Sequence, residues 1–159
     1  MRYLREDFVF VSVKRHLSET GWRVIGGEPP DGTADDLIRV YIRPATNARG
    51  RLHSLGSQKV DLISIKDGTL LLTELKPSYS EADRKKLDRI AGPMREDLLR
   101  AIWQRCKIPP ESIKSVVKSL GFTATTRIKM PPGFVVFCVH ADGRVVAKSR
   151  DSNDSKLVI

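Results

Sequence analysis

In the stretch 60-VDLISIKDGTLLLTELKP-77, Asp61, Glu74 and Lys76 interrupt a run of valines, leucines and isoleucines. An unpaired charge inside a buried strand costs several kcal/mol or titrates away. These three residues therefore face water, or something balances their charge. Asp67-Gly68 is a strong signal for a two-residue turn. Such a turn pairs Lys66 with Thr69, Ile65 with Leu70, Ile63 with Leu72 and Asp61 with Glu74. Directly opposed side chains have Cβ atoms about 4.5–5.5 Å apart, so two carboxylates there repel unless a cation or a shared proton lies between them. A hard divalent ion such as Mg²⁺ takes oxygen ligands and is commonly held by one or two carboxylates plus waters and phosphate oxygens. The spacing predicts a metal site, conditional on that register. Lys76 follows Glu74 by two residues and so shares its face of the strand. An ammonium there can position or deprotonate an attacking water, or neutralise charge developing on a phosphate. The competing reading is a charge cluster on a solvated sheet face, with Lys76 and Lys59 offsetting the acids.

The elements that would hold these residues can be read from periodicity. Residues 4–20 read as a helix: Leu4, Phe8, Val11 and Leu17 approximate one face, and Glu6 and Asp7 lie in the first turn. Gly21 supplies a stop; the alternating core FVFVSV makes a strand the rival. Short strands follow at 22-WRVIG-26 and 37-LIRVYIR-43, separated by the turn-rich 27-GEPPDGTADD-36. The acid-free 44-PATNARGRLHSLGSQ-58 reads as a basic loop. Strands at about 59–66 and 69–76 form the hairpin, the second apolar on both faces from Leu70 to Leu72 as suits a central strand. Residues 80–105 read as a helix, opened by Ser80 and broken near Gly92-Pro93. A third helix is expected over 111–121, and a hairpin over 134–148 around Ala141-Asp142-Gly143. Residues 1–150 are expected to form one domain and 151–159 a polar tail.

The 159 residues are enough for a substantial core, and 40% hydrophobic with 30% charged residues is ordinary globular composition. No apolar run approaches the roughly 20 residues of a membrane span, and the N-terminus lacks an extended apolar h-region. A cytoplasmic protein without membrane partners is the expectation. Cys106 and Cys138 match no metal or redox spacing and are expected to be reduced, partly buried thiols. Twenty-eight Lys and Arg against nineteen Asp and Glu give a net charge of +9, which favours a polyanionic partner.

Asp61, twelve intervening residues, then Glu74-Leu75-Lys76 resembles the signature of the PD-(D/E)XK nuclease superfamily. Val60 stands where the name-giving proline would be. The order helix, three strands, helix, strand can be laid over residues 4–148. The resemblance implies an α/β (α+β) fold with a restriction-endonuclease-like αβββαβ core, a central mixed sheet flanked by helices. It also implies that Asp61, Glu74 and the backbone carbonyl of Leu75 bind Mg²⁺, for which Mn²⁺ can substitute. Glu6, with Asp7 second, corresponds to the glutamate that some members add from the first helix. Lys76 would orient or activate the water that attacks a phosphodiester.

Arg49, Arg51, His53 and Lys59 suit phosphate contacts from a loop, with a solvated loop as an equal reading. Lys85, among Arg84, Lys86 and Arg89, lies on the helix after the motif, a substrate-facing position in related folds. Interleaved Glu81, Asp83 and Asp88 point instead to ordinary helix salt bridges. Tyr79 and the scattered His16, His53 and His140 read as packing or surface residues. There is no P-loop, serine elbow or zinc-ligand spacing. The expected function is that of a metal-dependent endonuclease acting on DNA. Cutting both strands needs two sites, which makes a homodimer the simplest assembly. The alternatives are a non-catalytic nucleic-acid-binding module of the same fold, a ribonuclease on that scaffold, and a basic protein-interaction domain.

Overall fold

The computed structural model describes residues 3–31, 33, 36–44, 57–127 and 129–149. Chain order is α1 (Glu6–Glu19), β1 (Arg23–Gly27), β2 (Leu62–Lys66), β3 (Thr69–Leu75), α2 (Glu81–Ala91), α3 (Arg95–Cys106), a 3₁₀ turn (Pro110–Ser112), β4 (Ser115–Thr123), β5 (Phe134–Val139) and β6 (Val145–Ser149). The six strands form one sheet in sequential order. β1, β2 and β3 are antiparallel neighbours, β3, β4 and β5 run parallel, and β6 returns antiparallel. This mixed α+β arrangement is consistent with a restriction-endonuclease-like core.

The sheet separates two apolar layers. On one side, Val9, Phe10, Val13 and Leu17 of α1 pack on Leu62, Leu71, Leu75 and Phe137. On the other, Leu87 and Ile90 of α2 and Leu98 and Ile102 of α3 pack on Ile63, Leu70, Leu72, Leu120 and Phe122. Alternation along β3 therefore sends Leu70 and Leu72 to one layer and Leu71 and Leu75 to the other. β3 is the central strand expected from its two-sided apolar run, with Leu70, Leu71 and Leu72 wholly buried.

The turn sets the register. Asp67 and Gly68 adopt φ of 50° and 78°, the left-handed pair of a type I′ hairpin. Lys66 pairs with Thr69, Ile65 with Leu70 and Ile63 with Leu72.

Two expected elements differ. The helix expected over 111–121 is instead the 3₁₀ turn followed by β4. Ile113, Val116, Val117 and Leu120 satisfy helical spacing, but a strand buried between two parallel neighbours shows the same unbroken apolar character. Val116 and Val117 are also β-branched, which favours the strand. Gly121 is not a helix stop; it is the β4 partner of Leu75 in the parallel ladder. A Cβ there would meet Leu75 Cδ2 at 2.5 Å and Val13 Cγ2 at 3.2 Å. The second difference is 37–43, which is no strand: among the described residues it makes the isolated bridge Ile42–Gln58 and accepts the Gly27 N–H at the Ile38 carbonyl. Val40 and Ile42 are nonetheless buried in the α2–α3 layer, so burial rather than ladder pairing explains their apolar pattern. The helix over 80–105 is broken at Gly92-Pro93 as expected. Cys106 and Cys138 are free thiols. Residues 45–56 of the expected basic loop, and the whole of the expected tail 151–159, lie outside the described residues. Among the described residues, no helix is long and apolar enough to cross a membrane.

Candidate functional site

β3 runs out at Leu75, and Pro77 prevents its continuation. The main chain there is still anchored, because Lys76 N–H donates to the Gly121 carbonyl at 3.1 Å and Thr123 N–H to the Pro77 carbonyl at 3.1 Å. This end of the sheet lies between the first turns of two helices, α1 on one face and α2 on the other. Ligand crevices in open sheets form at the carboxyl ends of parallel strands, and the candidate residues gather at such an end.

Asp61 precedes the β2 ladder by one residue and sits beside Glu74, held by reciprocal hydrogen bonds. Asp61 N–H donates to Glu74 Oε2 at 2.8 Å, and Leu75 N–H donates to Asp61 Oδ2 at 2.8 Å. The Asp61 carbonyl accepts from Glu28 N–H at 3.0 Å, tying the residue to the end of β1. Both carboxylates are thus fixed by backbone donors rather than swinging in solvent. The Glu74 side chain is 2% exposed. Burial first, and then the Glu74 charge within hydrogen-bond reach, push the Asp61 carboxyl up to about 8. The Leu75 N–H and the Lys86 ammonium oppose that rise. Burial and the neighbouring Glu74 charge thus both favour the protonated form of Asp61.

The cation that balances Glu74 comes from α2: Lys86 Nζ pairs directly with Glu74 Oε1. Lys76 takes a different partner. Its Nζ lies 3.6 Å from Glu6 Oε1 at the start of α1. Burial acts to lower the Lys76 pKa, but Asp83, Glu6, Asp61 and Glu74 together raise it above the ordinary lysine value. Asp83 stands in the first turn of α2, its N–H bonded to the Ser80 hydroxyl that caps the helix. Its Oδ2 is buried with no hydrogen-bond partner among the described residues.

The structure thus brings together Asp61, Glu74, Lys76 and Glu6. Asp7 turns elsewhere, to Arg5 at 3.1 Å. Lys59 lies 4.0 Å from Glu28 and 5.3 Å above the Tyr41 ring, while Lys85 is exposed on α2. Arg49, Arg51 and His53 lie outside the described residues. Tyr79 stacks edge-on against Phe122, with its hydroxyl on Glu81. Two members of the site, Asp83 and Lys86, read from sequence only as charges of the helix after the motif, not as partners of Lys76 and Glu74. Each has an ordinary explanation as a helix-surface charge, and the only available signal was their three-residue spacing, which places them on one face of α2.

No protein-family model matches the chain, and no curated protein matches it. Among solved structures, the chain is similar to one described as a Type III CRISPR defence DNA nuclease activated by cyclic oligoadenylate. The two are 17% identical with a TM-score of 0.37, and the match covers 94% of this chain and 18% of that one. The chain therefore spans less than a fifth of that protein.

The donor chemistry can be tested against a cation. Among the described residues, no group of three or more His, Cys, Asp or Glu side chains is placed to hold a metal ion. Asp61 and Glu74, whose charge raises the Asp61 pKa, nonetheless bring two carboxylates together, and oxygen donors are the type a hard divalent ion accepts. Lys86 is the competitor for Glu74 in that set.

Proposed function

We propose that the protein is a Mg²⁺-dependent endonuclease that hydrolyses DNA phosphodiester bonds at the Asp61–Glu74–Lys76 site. The observation that carries this reading is the Asp61 N–H bonded to the Glu74 carboxylate and the Leu75 N–H bonded to the Asp61 carboxylate, beside Lys76 at the open end of β3. Burying two neighbouring acids costs a hairpin stability, and a site that gathers positive charge around a phosphate would use them.

In this reading Asp61, Glu74 and the Leu75 carbonyl would hold the ion, with Glu6 adjoining through Lys76. Bound Mg²⁺ would supply positive charge to the phosphate under attack; Mn²⁺ has the same ligand preference. Lys76 keeps its proton because Asp83 and Glu6 stabilise the ammonium. It therefore acts as a fixed cation that orients the attacking water and neutralises charge on the phosphoryl oxygens. Glu6 pairs with the ammonium from α1, and the Asp83 charge acts on it from α2. Basic side chains, Lys59 and Lys85 among them, would attract the backbone of the nucleic acid. Two copies of the chain would be needed to cut both strands.

A second reading has its own observation. Because Lys86 already balances Glu74, the acid pair can be structural, and the chain then binds nucleic acid without cutting it. The test is incubation of plasmid, linear, branched and single-stranded DNA, and of RNA, with Mg²⁺ or EDTA, beside Glu74→Ala and Lys76→Ala. Cutting that needs Mg²⁺, is lost in Glu74→Ala and falls steeply in Lys76→Ala is expected. Binding without cutting would hand the case to the second reading, and cutting of RNA alone would make the enzyme a ribonuclease.

A further inference from the structure

Away from the acid pair, the segment 36–44 and helix α3 enclose a cleft of about 340 Å³, lined in part by Tyr41, Arg43, Asp97, Arg100, Gln104 and Arg105. Three guanidinium groups face one carboxylate in that lining. A second cleft, between α1 and the β5–β6 hairpin, holds Arg15 and Arg144 against Glu19 and Asp142. The charge balance therefore separates the two: the α3 cleft carries surplus positive charge and the α1 cleft does not.

The guanidiniums of the α3 cleft are held in different ways. Arg105 Nε donates to the Arg39 carbonyl at 2.9 Å, which joins α3 to the segment and leaves its terminal nitrogens for another acceptor. Arg100 pairs with Asp97 at 3.0 Å. Arg43 is exposed. Tyr41 is 40% exposed, with Lys59 adding a cation 5.3 Å from its ring. Planar guanidiniums recognise phosphate oxygens by paired hydrogen bonds, and an exposed aromatic ring among them offers a stacking surface for a base.

We propose that this cleft binds successive phosphates of a single nucleic-acid strand through Arg43, Arg100 and Arg105, with Tyr41 stacking on a base. The proposal rests on the nuclease reading for the class of polyanion, but it assigns a surface outside the acid site. It would hold the strand apart from the point of cleavage.

The experiment uses the full chain carrying Glu74→Ala, in EDTA, with a short fluorescent single-stranded DNA followed by anisotropy over a range of salt. Arg43→Ala with Arg100→Ala should weaken binding about tenfold or more and flatten the salt dependence by roughly 1 to 2 in slope. Tyr41→Ala should weaken DNA binding about tenfold, with Tyr41→Phe restoring it and inorganic polyphosphate binding unchanged. Arg15→Ala with Arg144→Ala is the control and should bind as the parent does. Thermal melts confirm that each variant is folded, and Arg43→Ala alone serves if the double variant is not. Undiminished binding in folded cleft variants, or an equal loss in the control, overturns the proposal. Loss with the arginines but not with Tyr41→Ala overturns the stacking role of Tyr41. Wild-type chain that binds through the cleft yet cuts nothing sinks the nuclease reading and leaves the cleft standing. Cutting with cleft-independent binding does the reverse.

Discussion

Lys86 of α2 closes an ion pair on Oε1 of Glu74, the acid that β3 carries to its end. The chain thus supplies its own cation where the hairpin spacing demanded one. Removing Lys86 leaves a buried carboxylate without a counter-charge. Lys86→Met should destabilise the protein by about 1–3 kcal/mol, the range for an orphaned buried acceptor, because Lys86 itself keeps part of its surface in water. Millimolar Mg²⁺ should restore more melting temperature to Lys86→Met than to wild type if the acids bind the ion. Equal shifts in both proteins would count against a metal at Glu74.

The Asp61 carboxyl makes stability depend on pH in a definite direction. Its proton is held up to about pH 8 in the folded state, against an ordinary value of 3.8. The folded state binds that proton more tightly than the unfolded chain, so the contribution is fully present below the ordinary value and is lost as pH rises towards 8. Asp61→Asn cannot ionise and keeps an oxygen for the Leu75 N–H. In EDTA, its melting temperature should gain on wild type steadily between about pH 4 and pH 8. A constant difference across that window would contradict the burial of Asp61.

Asp83 is first among the charges that raise the Lys76 pKa. Asp83→Asn should lower that pKa and move the alkaline limb of the cleavage profile to lower pH, with little change in melting temperature. An unmoved limb would remove Asp83 from the site.

Gly121 lets Leu75 lie against β4 while its N–H holds Asp61. Gly121→Ala would force a methyl group to within 2.5 Å of Leu75 Cδ2, and overpacking of this kind costs about 1–3 kcal/mol. The same displacement moves the donor on Asp61, so activity should fall further than stability alone explains. Chemical denaturation and cleavage measured on one preparation separate the two.

Removal of the Lys76 ammonium tests its role most directly. Lys76→Ala should lower the cleavage rate about 10²–10³-fold, the scale of a lost charge-stabilising donor, while DNA affinity of the Glu74→Ala background changes little. A rate within a factor of a few of wild type would assign Lys76 to the Glu6 ion pair alone.

The hairpin and its charges were legible in the chain because their determinants are local. Asp67-Gly68 permits one tight turn, the turn dictates the Ile63–Leu72 pairing, and the strand period then puts Asp61 beside Glu74. The break of the long helix at Gly92-Pro93 was legible for the same reason, since proline acts on its own neighbourhood. The strand Ser115–Thr123 was not: its apolar spacing suits a helix equally, and only burial between β3 and β5 selects the extended form. Nor was the identity of the balancing cation. Lys86 follows Glu74 by a full turn of chain and a helix start, so its meeting with that acid depends on how α2 docks on the sheet. Sequence determined the acids and their register; tertiary packing decided that α1 and α2 would enclose them, because long-range docking leaves no local periodicity to read.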